Sequence, residues 1–129
     1  MDKQKLDLAR RVMAAPGFRP LPGMRIVNRF EGYPVRMIAD GCFAHEGETG
    51  GNIPAATDLV KTDVPDLDDP ATVGCLLALV RKRFKLPNMT TALSGRVWYW
   101  MNEGSHNPLW QHRADSEVEL MTLALEKEQ

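Results

Sequence analysis

The stretch on which the fold turns is Asp69-Pro70-Ala71-Thr72-Val73-Gly74-Cys75-Leu76-Leu77-Ala78-Leu79-Val80-Arg81-Lys82-Arg83-Phe84-Lys85. Asp69 offers a side-chain acceptor to the first free N–H groups of a helix. Pro70 suits the first helical position, where its missing N–H removes no bond. Val73, Leu76, Leu77, Val80 and Phe84 recur at helical spacing. Cys75, Ala78 and Leu79 widen that stripe, which predicts a helix buried on most sides. Gly74 weakens the helix by about 1 kcal/mol relative to Ala, so it is expected to permit a close backbone approach. Arg81, Lys82, Arg83 and Lys85 gather where cations favour the helix dipole. Leu86-Pro87-Asn88 stops the helix.

Two more helices flank this one. Residues 3–14 carry Leu6, Leu8, Ala9, Val12 and Met13 along one face, with Asp2 as cap and Pro16-Gly17 as stop. Ser116 and Glu119 form a capping box ahead of Val118, Leu120, Met121, Leu123, Ala124 and Leu125, a closing helix of about ten residues. Between them, Met24 to Asn28 and Val35 to Ala39 read as a strand hairpin turning at Glu31-Gly32. Residues 41–52 are glycine-rich, and Gly47 to Asn52 read as a mobile loop. Thr57 to Lys61 fits a short strand, and Thr62 to Asp69 an acidic surface connection. Arg96 to Met101 is strand-like, and Leu109 to Arg113 is expected to pair back onto it. The fold expected is α+β: one mainly antiparallel sheet of four or five strands packed by two or three helices, in a single domain spanning 1–129.

Bulk composition narrows the function. The 129 residues carry 16 Lys and Arg against 17 Asp and Glu, a net charge of -1, so the basic excess of a nucleic-acid grip is missing. No apolar run approaches the ~18 residues of a membrane span, and no secretory leader opens the chain. Cys42 and Cys75 lack a C-x-x-C context, and a reducing cytoplasm fits them better than a disulfide between them.

Few constellations suggest chemistry. Cys42-x-x-His45 with His106 and His112 has the ligand types for zinc, but surface histidines and a packed thiol explain them better, so no metal or cofactor is expected. Ser94, Ser105 and Ser116 lack a nucleophile-elbow context. Asp66, Asp68 and Asp69 fit capping and solvation. Residues 47–52 lack the Lys-Ser/Thr of a phosphate loop.

The most informative feature is the strand Val97-Trp98-Tyr99-Trp100-Met101. Alternation puts Trp98 and Trp100 on one face and Val97, Tyr99 and Met101 on the other. One face must be core. The functional expectation is an exposed aromatic platform of Trp98 and Trp100, with Trp110 on the neighbouring strand and Arg96 and Arg113 beside it. Arg81, Arg83 and Lys85 are expected to add an anion or acidic-partner contact. The acidic run from Asp58 to Asp69 offers a complement to it, a hint of self-association.

The stretch from Pro65 to Arg81 resembles small proteins encoded by phages and prophages, mostly of unassigned function. The likeness extends to Leu8-Ala9-Arg10-Arg11, Pro22-Gly23-Met24-Arg25 and residues 116–126. Arg83-Phe84-Lys85 departs from the acidic-then-Trp ending of that group, and the family offers no catalytic residues to carry over. The resemblance implies an accessory product made in a bacterial cytoplasm that engages a host or viral macromolecule and counteracts antiviral defence. Two other readings stand beside this non-catalytic binding protein. One is a sequestering protein for a signalling nucleotide, which needs an aromatic pocket with arginines. The other is a small enzyme, for which the sequence offers no preferred residues.

Overall fold

The computed structural model describes residues 3–28, 34–39, 42–45, 52–53, 63–101, 109 and 111–127. Their order is α1 (Lys3–Ala14), β1 (Arg25–Asn28), β2 (Pro34–Ala39), β3 (Cys42–His45), β4 (Asn52–Ile53), β5 (Asp63–Pro65), α2 (Pro70–Phe84), β6 (Thr90–Ser94), β7 (Val97–Met101), β8 (Arg113–Ala114) and α3 (Glu117–Glu126). The class is α+β with antiparallel pairing. The strands nevertheless form two sheets rather than one of four or five: a five-stranded sheet ordered β4-β3-β2-β1-β5 and a three-stranded sheet ordered β6-β7-β8.

The helix caps follow the local chemistry. Asp69 is extended (φ -83, ψ 120) and accepts from the Thr72 N–H, while Ser116 accepts from the Glu119 N–H. Lys85 closes α2 in the left-handed region (φ 55, ψ 39), its N–H returning to the Arg81 and Lys82 carbonyls. The cap expected of Asp2 lies outside the described residues.

Helix α2 is less enclosed than its composition predicts. Thr72, Leu76, Leu79 and Val80 are buried, whereas Ala71, Gly74, Ala78 and Lys82 form an exposed stripe. A Cβ built on Gly74 meets nothing within 4 Å, so no close packing requires glycine there. Small residues on the solvent side inflated the apparent apolar face. The close approach occurs instead at Gly17, whose Cβ would stand 3.1 Å from the Leu125 carbonyl oxygen.

The β1–β2 hairpin forms as expected, with Ile26 opposite Val35. Four strands were not legible. Residues 42–45, which precede the expected loop, pair with β2 across a register shift between Met37 and Ala39, and Asn52–Ile53 at the loop's end pairs with them as β4. The stretch read as an acidic connection contributes β5, which pairs with β1 and buries Val64. Strand β6, also not foreseen, forms a hairpin with β7 through Gly95 and Arg96. The returning strand starts later than expected, at Arg113 opposite Tyr99. Thr57 to Lys61 lies outside the described residues.

One apolar cluster joins these layers: Ala9 and Val12 from α1, Met24, Ile26 and Met37 from the first hairpin, Leu76, Leu79 and Val80 from α2, Trp100 from β7, and Leu120, Met121 and Leu125 from α3. Contiguous burial of this kind is the main source of favourable folding free energy.

Candidate functional site

The β6–β7 hairpin is built from a turn outward. Gly95 has φ +62, while Arg96 does not have positive φ, the arrangement of a two-residue turn with glycine first. It aligns Ser94 with Val97, Ala92 with Tyr99 and Thr90 with Met101 on one face. Leu93 with Trp98 and Thr91 with Trp100 share the other.

The indole face is the inner one. Trp100 is only 3% exposed, and Trp98 is half-buried against the core. Trp100 therefore cannot serve as an open stacking plate, which corrects the expected platform. Two indoles offer more apolar area than Val97 and Met101, so burying them against α3 is the stronger term. Trp110 lies outside the described residues.

The other face looks outward. Leu93, Val97 and Met101 are 53%, 40% and 50% exposed, and they are the exposed large hydrophobic residues among those described. All three belong to this hairpin, Val97 and Met101 on the outer face and Leu93 on the indole face, where it emerges beside the turn. Tyr99 sits half-buried between Val97 and Met101, and the Arg113 guanidinium lies 5.6 Å from its ring centroid. This is cation–π distance. Arg96 is exposed at the turn. Arg96 and Arg113 thus border the outer face, whose ring and aliphatic groups come from the side of the strand opposite to the tryptophans.

The basic cluster is largely occupied by the fold. The Arg81 Nε donates to the Met89 carbonyl at 2.7 Å, tying the end of α2 to the entry of β6. An Arg83 Nη donates to the Lys127 carbonyl at 2.6 Å, closing α2 against the end of α3. Lys85 and Lys82 remain exposed. In the acidic run, Asp66, Asp68 and Asp69 are likewise used internally. Arg25 pairs with Asp66, Arg36 with Asp69, and Lys5 Nζ reaches Asp68 at 2.9 Å. The Arg36 fork holds the Asp69 carboxyl well below the ordinary range, at about 2, against the opposing effect of burial. Asp58 and the side chain of Asp63, which belong to the same run, lie outside the described residues.

An open cleft of about 590 Å³ lies between α1, the β5–α2 turn and the start of α3. Lys5, Leu8, Arg11, Asp68, Ser116 and Glu119 are among its walls, and none of the expected site residues is. Several of its polar groups already have structural partners: Lys5 meets Asp68 at 2.9 Å, Arg11 Nη2 meets Glu126 at 2.7 Å, and Ser116 caps α3. Glu126 raises the Arg11 pKa through that bond.

Cys75 carries a free, half-buried thiol 3.4 Å from the Pro22 carbonyl oxygen, so it forms no disulfide with Cys42. Burial pushes that thiol pKa up, away from reactivity. Among the described residues no group of His, Cys, Asp and Glu is arranged to hold a metal. The side chains of Cys42, His45 and His106 lie outside them. No helix among the described residues is long and apolar enough to cross a membrane.

The sequence signal for the outer face was its alternation, which divides Val97, Tyr99 and Met101 from the tryptophans. Nothing local indicated which half the core would take. Comparison of the chain with protein-family models, curated proteins and solved structures finds no match.

Proposed function

We propose that this chain is a non-catalytic binding protein that engages a partner protein through the outer face of the β6–β7–β8 sheet. The observation that carries this reading is that, among the described residues, the large hydrophobic side chains left exposed all lie in this hairpin, two of them, Val97 and Met101, on the outer face and Leu93 beside the turn on the opposite one. Clustered apolar exposure, unlike scattered single residues, marks interaction surfaces. Tyr99 and Arg113 supply the aromatic and guanidinium chemistry enriched at binding hot spots, and Arg96 adds a cation at the rim. A partner with an apolar centre and carboxylates around it complements this face. The phage or prophage setting, with action on host machinery in a bacterial cytoplasm, rests on the resemblance of residues 65–81 and belongs to the same proposal.

The nucleotide-sequestering reading has less support. It needs a concavity holding rings and arginines together, whereas the cleft between α1 and α3 contains neither the tryptophans nor Arg96 and Arg113.

The test is affinity capture from phage-infected or lysogenic bacteria, with the wild-type chain beside a Val97→Glu/Met101→Glu variant, followed by titration of purified candidates. The reading requires a protein that binds the wild type and binds the variant at least about tenfold more weakly, as expected when charges enter an apolar contact. Equal binding by both chains refutes it, as does turnover of a substrate by the isolated protein.

A further inference from the structure

The smaller sheet also has an open edge. Among the described residues, no strand lies beyond β6, and no backbone bond from outside the hairpin reaches Thr90 to Ser94. Hairpin geometry fixes which groups face that edge. Ser94 and Val97 flank a two-residue turn, so they exchange backbone hydrogen bonds. Antiparallel ladders repeat this at alternate pairs, Ala92 with Tyr99 and Thr90 with Met101. The N–H and C=O groups of Thr91 and Leu93 therefore point away from β7.

Edges are ordinarily guarded by charge, proline or a bulge. Strand β5, at one edge of the larger sheet, contains Asp63 and Pro65, and β8, at the other edge of the smaller sheet, contains Arg113. Strand β6 reads Thr90-Thr91-Ala92-Leu93-Ser94, with no charge and no proline, and its register with β7 runs without a shift.

We infer that the β6 edge pairs antiparallel with β6 of a second copy of this chain. The sequence complements itself about a twofold axis at Ala92. Thr91 then stands opposite Leu93 of the second copy, and Thr90 opposite its Ser94. Thr91 and Leu93 have the same outward parity, so each such pair exchanges both backbone bonds. No like charges meet along the strand, and each exposed Leu93 gains a neighbouring strand to pack on. The two small sheets become one continuous sheet, which sets two outer faces side by side. This pairing uses the edge and not the outer face, so it stands independently of the partner-binding reading.

The experiment is sedimentation or light-scattering mass measured from about 1 to about 500 µM, because a short edge contact gives a concentration-dependent dimer. The wild type should move from the 14.5 kDa of one chain towards twice that value. Leu93→Lys adds the missing edge guard at an exposed position and should weaken dimerisation by about tenfold or more. Leu93→Pro removes an outward N–H without breaking the hairpin ladder and should do the same. Circular dichroism checks that both variants keep the wild-type fold. Met101→Lys, on the outer face, should leave the mass curve unchanged. A one-chain mass throughout the range overturns the inference. So does a folded Leu93→Lys chain that dimerises like the wild type, or a Met101→Lys chain that loses the dimer equally.

Discussion

Arg25 and Arg36 stand directly opposite one another across the β1–β2 hairpin. Like charges in that position repel. Each is neutralised by a carboxylate from the turn before α2: Asp66 takes Arg25, and Asp69 accepts both Arg36 Nη groups at 3.0 Å. Asp69 also accepts from the Thr72 N–H and hydroxyl, and the buried Thr72 hydroxyl oxygen accepts the Arg25 N–H at 2.9 Å. One carboxylate thus caps α2, neutralises an arginine and joins helix to sheet.

The consequence is a pH-dependent stability with a defined sign. The Asp69 pKa is lowered to about 2 in the folded chain, while its unfolded value is about 3.9. Its stabilisation is complete above the unfolded value and is lost as pH falls from there through about 2. Asp69→Asn keeps a side-chain acceptor for the helix cap but loses the charge, and should lower stability by about 2–3 kcal/mol at neutral pH because an arginine is left facing an arginine. Urea unfolding at pH 7 and pH 2.5 checks this, and the gap between wild type and variant should shrink at the lower pH.

His112 contributes in a different window. Burial, with Lys127 adding repulsion, holds its pKa below the ordinary value, and its Nδ1 makes no hydrogen bond among the described residues. The folded chain therefore binds this proton less readily than the unfolded one. Stability attributable to His112 is complete above about pH 6.5 and declines as pH drops below it. His112→Gln should flatten the stability curve just below about pH 6.5, leaving the Asp69 region unchanged. An unaltered slope in the variant rejects the assignment.

The helices were legible because their signals are local. Asp69-Pro70 and Ser116-x-x-Glu119 specify caps through neighbouring backbone groups, and the structure has both. The missed strands depended on distant partners. Strand β5 is three residues long and exists through β1, so its Asp and Pro content read as a connection. The outer face was half legible: the alternation of residues 97–101 separates two apolar sides, but α3 determines which is covered. Arg81 and Arg83 looked like a free basic cluster because their carbonyl partners, Met89 and Lys127, come from outside the helix.

Three glycines should respond differently to alanine. Gly95 has φ +62 in the tight turn, so Gly95→Ala should destabilise by about 1–2 kcal/mol. Gly17→Ala should also destabilise by about 1–2 kcal/mol, because its Cβ would press on the Leu125 carbonyl oxygen at 3.1 Å and the Arg83 Cδ at 2.9 Å. Gly74→Ala should stabilise by about 0.5–1 kcal/mol, since the helical position is open and alanine loses less backbone entropy. Thermal unfolding of the three variants orders them, and a destabilising Gly74→Ala contradicts the exposed stripe on α2.

The assignment of inner and outer faces on β7 is itself measurable. Trp100 is buried, yet its indole N–H makes no hydrogen bond among the described residues. An unpaired buried donor weakens the fold by about 1–3 kcal/mol. Trp100→Phe removes that donor while keeping a ring, so the two effects oppose and the net loss should stay below about 1.5 kcal/mol. Trp100→Ala leaves a cavity with no such compensation and should lose about 3–5 kcal/mol. Met101 is half exposed one residue along the same strand, and Met101→Glu should change monomer stability by no more than about 0.5 kcal/mol. Urea unfolding at low protein concentration separates the three. If Met101→Glu destabilises as strongly as Trp100→Ala, the outer face is covered within the chain and is not a surface on which a partner docks.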